Sequence, residues 1–306
     1  MSEFSYATVD VFTVDRFGGN PLAIVPDARG LSGSQMQAIA AEFNYSETTF
    51  VLPPEDVINT ARVRIFTRSR ELPFAGHPNV GTGYYLGGQG AVFGKPVGST
   101  MRFEEKAGLV EVALLDDGGV VVGASIKAPQ PLKTGATMDA AIVAGCLSLA
   151  PGDIRMDRHA PTSASVGIPF FMVETDLASL SNARPDTNAF ADALARHGDD
   201  NAVGRLSIFV YARKDEGVEQ LRARMFSPLG GTVEDPATGS ASAALGAFLM
   251  SLDPRADATA AIQIEQGVEM GRRSEIDVTV CKAQGNIDGV TVSGRCVPVM
   301  RGVIEI

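Results

Sequence analysis

Cysteine, histidine and positive charge are all scarce in this 306-residue chain, and each shortage argues against a class of protein. The three cysteines, Cys146, Cys281 and Cys296, are odd in number and widely spaced. They are a poor basis for a disulfide framework and fit a reduced, cytoplasmic protein. The three histidines, His77, His159 and His197, share no metal-ligand spacing with one another or with cysteine, so no metal site is expected. Lys and Arg number 26 against 36 Asp and Glu, a formal net charge of -10 with pI near 4.9. With no basic run to neutralise phosphates, neither nucleic acid nor an anionic membrane is an expected partner. No apolar run approaches the ~18 residues of a membrane helix. The opening segment carries Glu3 and Asp10 without a basic start ahead of an apolar core, so no secretory signal is expected. Gly90 to Lys95 falls one residue short of a P-loop, and Pro96 stands where Ser or Thr is needed. No Gly-x-Ser-x-Gly elbow occurs, and no Gly-x-Gly-x-x-Gly follows a strand. ATP use, serine hydrolysis and hydride transfer are all disfavoured.

What the chain does have is apolar mass and an internal repeat. Hydrophobic residues make up 45% and charged residues 20%, which suits a folded protein with substantial cores. Its length suggests about two domains. Glu234-Asp235-Pro236-Ala237-Thr238-Gly239-Ser240 runs into Ala241 to Met250, a stretch small or apolar on every side, so a helix buried all round is expected there. Asp235 fits the N-cap and Pro236 the first helical position. The N–H groups of Thr238, Gly239 and Ser240, at the positive end of the helix dipole, would then suit a carboxylate or phosphate. The same grammar occurs earlier. Arg64-Ile65-Phe66-Thr67 leads to His77-Pro78-Asn79-Val80-Gly81-Thr82-Gly83, and Arg224-Met225-Phe226-Ser227 leads to Asp235-Pro236-Ala237-Thr238-Gly239-Ser240-Ala241. Both read Arg-x-Phe-(Thr/Ser), a loop, then (His/Asp)-Pro-x-x-Gly-(Thr/Ser)-(Gly/Ala), a twofold repeat.

Around these helices the pattern is mostly strand. Alternation and β-branched content predict strands over Tyr6–Val14, Leu22–Val25, Tyr45–Leu52, Val63–Thr67, Thr100–Phe103, Leu109–Leu115 and Val120–Ile126. The second half offers Val166–Val173, Leu206–Ala212, Arg222–Phe226, Ala261–Glu265, Glu275–Val280, Gly289–Val292 and Val297–Ile306. Ser32 and Gln35 are spaced as a capping box for a helix ending at Asn44, and Ala140–Leu149 and Pro185–His197 also read as helices. Prolines near 127–130 place a boundary between domains 1–127 and 128–306, with the final strand able to return to the first. The fold expected is α+β: two pseudo-symmetric domains, each a β-barrel-like sheet wrapped around a central helix.

Several motifs in chain order carry a resemblance. They are Asp10-Val11-Phe12-Thr13, Gly19-Asn20-Pro21, Asn44-x-Ser46-Glu47-Thr48, Glu71-Leu72-Pro73-Phe74-Ala75-Gly76-His77-Pro78, Phe226-Ser227-Pro228, Glu234 to Ser240, and Gln266-Gly267-x-x-Met270-Gly271-Arg272. Together they resemble the PhzF-like isomerase family of phenazine biosynthesis, within the diaminopimelate-epimerase-like fold. The resemblance implies an active site in a cleft between two domains, cofactor-free proton chemistry and a homodimer. It places the acid/base on Glu47, sets His77 and Asp235 at the two helix starts, and gives Gly76 and Ser240, beside Gly239, to a substrate carboxylate. Arg68 stands where the family often has proline and Asn79 where threonine is frequent, departures that bear on substrate identity. Related racemases of this fold use cysteine at the helix starts. Here neither start has one.

On the residues alone, Glu47 also reads as a solvated strand-end glutamate, Asp235 and His77 as simple caps, and Arg68 and Arg70 as a solvated loop. The function expected is a cofactor-independent isomerase that shifts a proton, and with it a double bond, on a small carboxylated metabolite. The competing class is a non-catalytic small-anion-binding protein on the same fold.

Overall fold

The computed structural model describes residues 2–197, 205–215, 217 and 219–306. The chain divides into two compact units, Met1–Lys127 with Val292–Ile306, and Ala128–Thr291.

The first unit contains β1 (Glu3–Val11), β2 (Asn20–Val25), α1 (Gly33–Phe43), β3 (Glu47–Leu52), β4 (Ala61–Phe66), β5 (Glu71–Leu72), α2 (Gly76–Gln89), β6 (Ala91–Val92), β7 (Lys95–Pro96), β8 (Thr100–Glu105), β9 (Gly108–Asp117) and β10 (Val120–Lys127). β1 pairs with β2, β2 with β3, β3 with β4, β4 with β8, β8 with β9 and β9 with β10. The last strand of the chain pairs with both β1 and β10, which closes an eight-stranded barrel. α2 lies inside it and is buried continuously from Gly76 to Gly83. Small residues make that possible. A side chain at Gly81 would stand 2.7 Å from both Leu22 Cδ2 and Val11 Cγ2. α1 packs on the outside, with Met36, Ile39 and Ala40 against Val25, Phe50 and Phe66. Its start is the expected Ser32–Gln35 capping box, and its end is Asn44 in the left-handed region at φ 56°.

The second unit contains β11 (Lys133–Thr137), α3 (Ala140–Cys146), β12 (Thr162–Ser165), β13 (Pro169–Thr175), α4 (Leu177–Asn182), α5 (Thr187–His197), β14 (Ile208–Arg213), β15 (Gln220–Ser227), β16 (Thr232–Asp235), α6 (Gly239–Ser251), β17 (Ala258–Gln266), β18 (Ser274–Ala283) and the first residues of β19 (Asn286–Glu305). Its connections match the first unit strand for strand. β13 runs parallel to β14 as β2 does to β3, β15 is antiparallel to β14 and β16 as β4 is to β3 and β5, and β17 lies parallel on β15 as β8 lies on β4. α6 is buried at Gly239 and at every residue from Ala241 to Met250. The two buried helices and the α+β class are therefore as the sequence predicts.

Some local expectations fail, each for a physical reason. α6 begins at Gly239, with Thr238 as its N-cap, so Asp235 and Pro236 do not cap it. Asp235 instead ends β16, paired opposite Met225. Val166–Val173 is not one strand, because Gly167 at φ 149° turns the chain between β12 and β13. β1 stops at Val11, where Phe12 takes φ 67°, rather than reaching Val14. The last two expected strands are one, since β19 runs unbroken through the Gly294 region.

Close packing around α2 sets a stability test. Alanine ordinarily gains about 1 kcal/mol over glycine in a helix interior, and Gly88, exposed on α2 with nothing within 4 Å of a side chain, should show a gain of that order as Gly88→Ala. Gly81→Ala should instead lose about 1–3 kcal/mol in urea unfolding, the usual cost of overpacking a core. A gain at Gly81 would mean that the helix is not gripped as described.

Candidate functional site

Glu47 is the first residue of β3 and sits opposite Leu22 in the parallel register with β2. Successive strand side chains alternate in direction, so Glu47 and Thr49 share one face. Thr49 Oγ1 meets Thr82 Oγ1 of α2 at 2.9 Å, which marks that face as the one turned toward the buried helix. The helix brings His77, its second residue, to the same place. His77 Nε2 lies 3.5 Å from Glu47 Oε2, with the two side chains 7% and 17% exposed. That approach is too long and ill-aligned for a hydrogen bond, and Nε2 has no other hydrogen-bond partner. Burial pushes the His77 imidazole down to about 3. His77 is therefore neutral at physiological pH and outside the titration range expected from its residue type.

In the second unit Asp235 is buried, and its Oδ2 accepts from Thr238 Oγ1 at 2.6 Å. Gln266, at the end of β17, completes this knot. It accepts from Thr238 N at 3.0 Å and donates to Asp235 O at 2.7 Å and to Thr238 Oγ1 at 3.1 Å. Gly239 and Ser240 follow as the first two residues of α6, the glycine buried and the serine half-buried. Gly76 holds the first position of α2 and is buried. Neither Ala75 nor Thr238, the two N-cap residues, offers a side-chain acceptor to its helix. The first-turn N–H groups are thus left without the usual side-chain cap. The structure brings Glu47, His77 and Gly76 together in the first unit, and Asp235, Gly239 and Ser240 together in the second. Arg68 and Arg70 are exposed on the loop after β4, with Arg68 Nη1 3.5 Å from Asn44 Oδ1.

Sequence reasoning gave no role to three groups that matter. Glu71 takes a bidentate pair from Arg64 at 2.8 and 2.9 Å and a second cation from Lys106 at 2.6 Å. The Arg64 guanidinium, with help from Lys106, holds its carboxyl down at about 2. Glu234 takes the matching pair from Arg224 at 2.8 and 3.0 Å. Gln266 is the third. The acids stand at different distances from the helix motifs, so a fixed-spacing comparison of the repeats passes over them.

Comparison with known proteins agrees with this architecture. The family model described as phenazine biosynthesis-like protein matches residues 9–302. An uncharacterized isomerase of Mesorhizobium japonicum is 36% identical over 310 residues, covering 100% of both chains. The trans-2,3-dihydro-3-hydroxyanthranilate isomerase of Pseudomonas chlororaphis is 35% identical over 303 residues, covering 98% of each. The crystal structure of a Bacillus anthracis phenazine biosynthesis protein of the PhzF family superposes with TM-score 0.85 at 26% identity, covering 100% of both chains. The chain belongs to the phenazine biosynthesis-like, PhzF family. It is an isomerase with the diaminopimelate-epimerase-like fold. Among the described residues, no helix is long and apolar enough to cross a membrane.

Two measurements follow from this geometry. The unfolded chain would protonate His77 near 6.5, whereas the folded chain keeps it neutral to about 3. Its contribution to stability is thus complete above 6.5 and lost progressively as pH falls toward 3. His77→Gln should flatten the acid loss of stability between about pH 6.5 and 4, read as urea midpoints at matched pH. Parallel midpoints in the two proteins would contradict the buried, neutral imidazole. The thiols supply the second. Cys146 and Cys296 are buried, their thiols pushed up to about 11 and about 12 by burial, while Cys281 is exposed. In the folded protein only Cys281 should alkylate, and blocking it should leave turnover intact. Loss of turnover on modification of one cysteine, without unfolding, would replace carboxyl chemistry by thiol chemistry.

Proposed function

We propose that the chain is a cofactor-independent isomerase that moves a proton between two carbons of a small carboxylated metabolite, with Glu47 as its acid/base. The observation that carries this reading is the approach of the Glu47 carboxyl to the buried, neutral His77 imidazole at the start of α2. Glu47 as carboxylate would take a proton from one carbon, the electron pair of that C–H bond would shift the double bond, and the same carboxyl would return the proton to a second carbon. The atoms balance with no net donor or acceptor, as an isomerisation requires. A half-buried setting suits a carboxyl that must both accept and donate.

His77, uncharged, would orient a polar substituent or pass a proton without introducing a second charge. Asp235 would serve the substrate's polar groups in the same way. Gly76, Gly239 and Ser240 would hold the carboxylate through first-turn N–H groups and the serine hydroxyl, and fixing the substrate supplies much of the rate advantage. The proposal includes a cytoplasmic homodimer, with neither nucleic acid nor membrane as a partner. Its support is the membership of the PhzF family together with the site residues above.

The test is proton exchange. A panel of small unsaturated carboxylates, including the trans-2,3-dihydro-3-hydroxyanthranilate of the Pseudomonas relatives' name, is incubated with protein in heavy water and followed for deuterium uptake. At equal occupancy, Glu47→Gln should bind but exchange ~100-fold more slowly or worse. Exchange at the parent rate would make Glu47 a bystander. Asp235→Asn, which keeps the Thr238 contact, would report a chemical role only if exchange fell while stability held. Binding without exchange in the parent protein would favour a pure anion-binding protein.

A further inference from the structure

Between β16 and α6 the chain passes through Asp235-Pro236-Ala237-Thr238, and one side chain from β17 is tied to both ends of that turn. Gln266, the last residue of β17, has no solvent exposure. Its amide has one possible orientation. A backbone N–H can only donate, so Thr238 N at 3.0 Å identifies the amide oxygen; a carbonyl can only accept, so Asp235 O at 2.7 Å identifies the nitrogen. The second N–H of that nitrogen is directed at Thr238 Oγ1, 3.1 Å away. An amide nitrogen does not accept, so Thr238 receives this bond, and its single hydroxyl proton goes to Asp235 Oδ2 at 2.6 Å. The two bonds therefore run one way, from Gln266 to Thr238 and from Thr238 to Asp235. A proton on Oδ2 would put two donors on the Thr238 oxygen and leave the hydroxyl proton without this acceptor.

The turn itself is held by other contacts. Ser274, opposite Gln266 in the register of β17 and β18, donates its hydroxyl to Pro236 O at 2.9 Å. Gly267, at φ 74°, packs so closely that a side chain there would stand 2.6 Å from the same Pro236 O. Nearby charges are engaged with one another: Glu234 with Arg224, and Glu269 with Arg222 at 2.7 Å and with Arg224 Nε at 3.8 Å. Thr238 offers its side chain to no N–H of α6, so its hydroxyl is not a helix cap. The repeat separates the hydroxyl from the fold. In His77-Pro78-Asn79-Val80-Gly81 the place of Thr238 is taken by Val80, a buried residue three after a histidine. The hydroxyl is present in the half whose motif opens on a carboxyl and absent in the half whose motif opens on an imidazole.

We propose that Gln266 is a positioning residue for Asp235: by donating to Thr238 Oγ1 it commits the Thr238 hydroxyl proton to Asp235 Oδ2, and so holds the carboxyl in one orientation. This rests on the proposed role of Asp235 toward the substrate. With Oδ2 fixed as an acceptor, any proton that Asp235 takes up or gives back is confined to Oδ1. The amide donates without carrying a charge, so the carboxyl is oriented and not neutralised by a cation. Buried bonds in series polarise one another, which makes the Thr238 link sensitive to what Gln266 supplies behind it.

The experiment reads both ends of the chain of bonds by NMR at neutral pH. Aspartate is labelled with ¹³C at the carboxyl and glutamine with ¹⁵N at the side-chain amide, and the Asp235 and Gln266 signals are assigned sequentially. Thr238→Val keeps the shape, as Val80 does in the other half, and should displace the Asp235 carboxyl signal and one of the two Gln266 amide protons. That proton should also exchange with solvent ~10-fold faster, the scale of one ordinary hydrogen bond. Thr238→Ser, which returns the hydroxyl, should restore both signals. Gln266→Met should displace the Asp235 signal in the parent but move it no further in the Thr238→Val background, because both changes cut the same series. A further displacement there would mean that Gln266 acts only by shaping the turn, and would overturn the proposal. So would a Gln266 amide or an Asp235 carboxyl indifferent to Thr238→Val, or effects that serine does not reverse. If Gln266→Met does not fold, the parent and the two Thr238 variants decide. If the signals behave as expected while Asp235→Asn exchanges deuterium into substrate at the parent rate, positioning stands and the role of Asp235 in the reaction fails. The reverse pair of results sinks positioning alone.

Discussion

A helix enclosed by a barrel has to be fed into it by a loop, and each half of this protein fixes that loop with the same ion pair. Arg64 grips Glu71 and Arg224 grips Glu234, each through two parallel N–H···O bonds. Each guanidinium also lies over the phenylalanine two residues further on, Phe66 at 5.0 Å and Phe226 at 4.8 Å. The arginine belongs to the long strand and the glutamate to the short one that leads into the buried helix. Arg224, only 3% exposed, donates further to Leu180 O at 3.0 Å and Ala183 O at 2.9 Å, so its charge is surrounded by acceptors. Such a pair adds little net stability, because desolvation offsets most of the attraction. Removing one partner would strand the other and cost about 3–5 kcal/mol. The pair thus fixes geometry more than stability: it sets where α2 and α6 enter, and so where His77 and Gly239 stand.

The legible parts of the fold were those written in local chemistry. α1 was visible because Ser32 and Gln35 form a capping box with each other and Asn44 closes the helix by itself. The buried helices were visible because a helix without a polar face can only be enclosed, as α6 is. The start of α6 was not. Asp235-Pro236 has the chemistry of a cap and a first turn, but pairing of β16 with β15 keeps Asp235 in the sheet, and its carboxyl goes to Thr238 Oγ1. Tertiary pairing overrode a local preference. The site divides in the same way. The residues flanking the helix starts could be read from the repeat, whereas the meeting of Glu47 with His77, thirty positions apart, needs the barrel to bring β3 against α2. Family motifs suggested that meeting where spacing could not. Gln266 was missed because its partners lie 28 and 31 residues away.

The duplication is faithful in framework and unfaithful in chemistry. Thr48 pairs with Phe66 in the first unit and Ile208 with Phe226 in the second, so the counterpart of Glu47, one residue earlier, is Ser207. Ser207 is buried, and its Oγ meets Ser227 Oγ at 2.9 Å. A hydroxyl bonded to a hydroxyl, with no imidazole or carboxylate beside it among these contacts, is not a base at neutral pH. The His77 position is filled by Asp235, whose Oδ2 is already engaged by Thr238. If the substrate is served as proposed, the two halves cannot act as two equivalent bases that take a proton from one face and return it to the other, the symmetric arrangement by which a racemase inverts a carbon. On the proposed reading a single carboxyl at Glu47 would both remove and return the proton, which would confine the transfer to one face of the substrate and favour movement between two carbons over inversion at one. Ser207, set in strands that otherwise match the first unit register for register, thus leaves the proposed proton transfer to Glu47 alone.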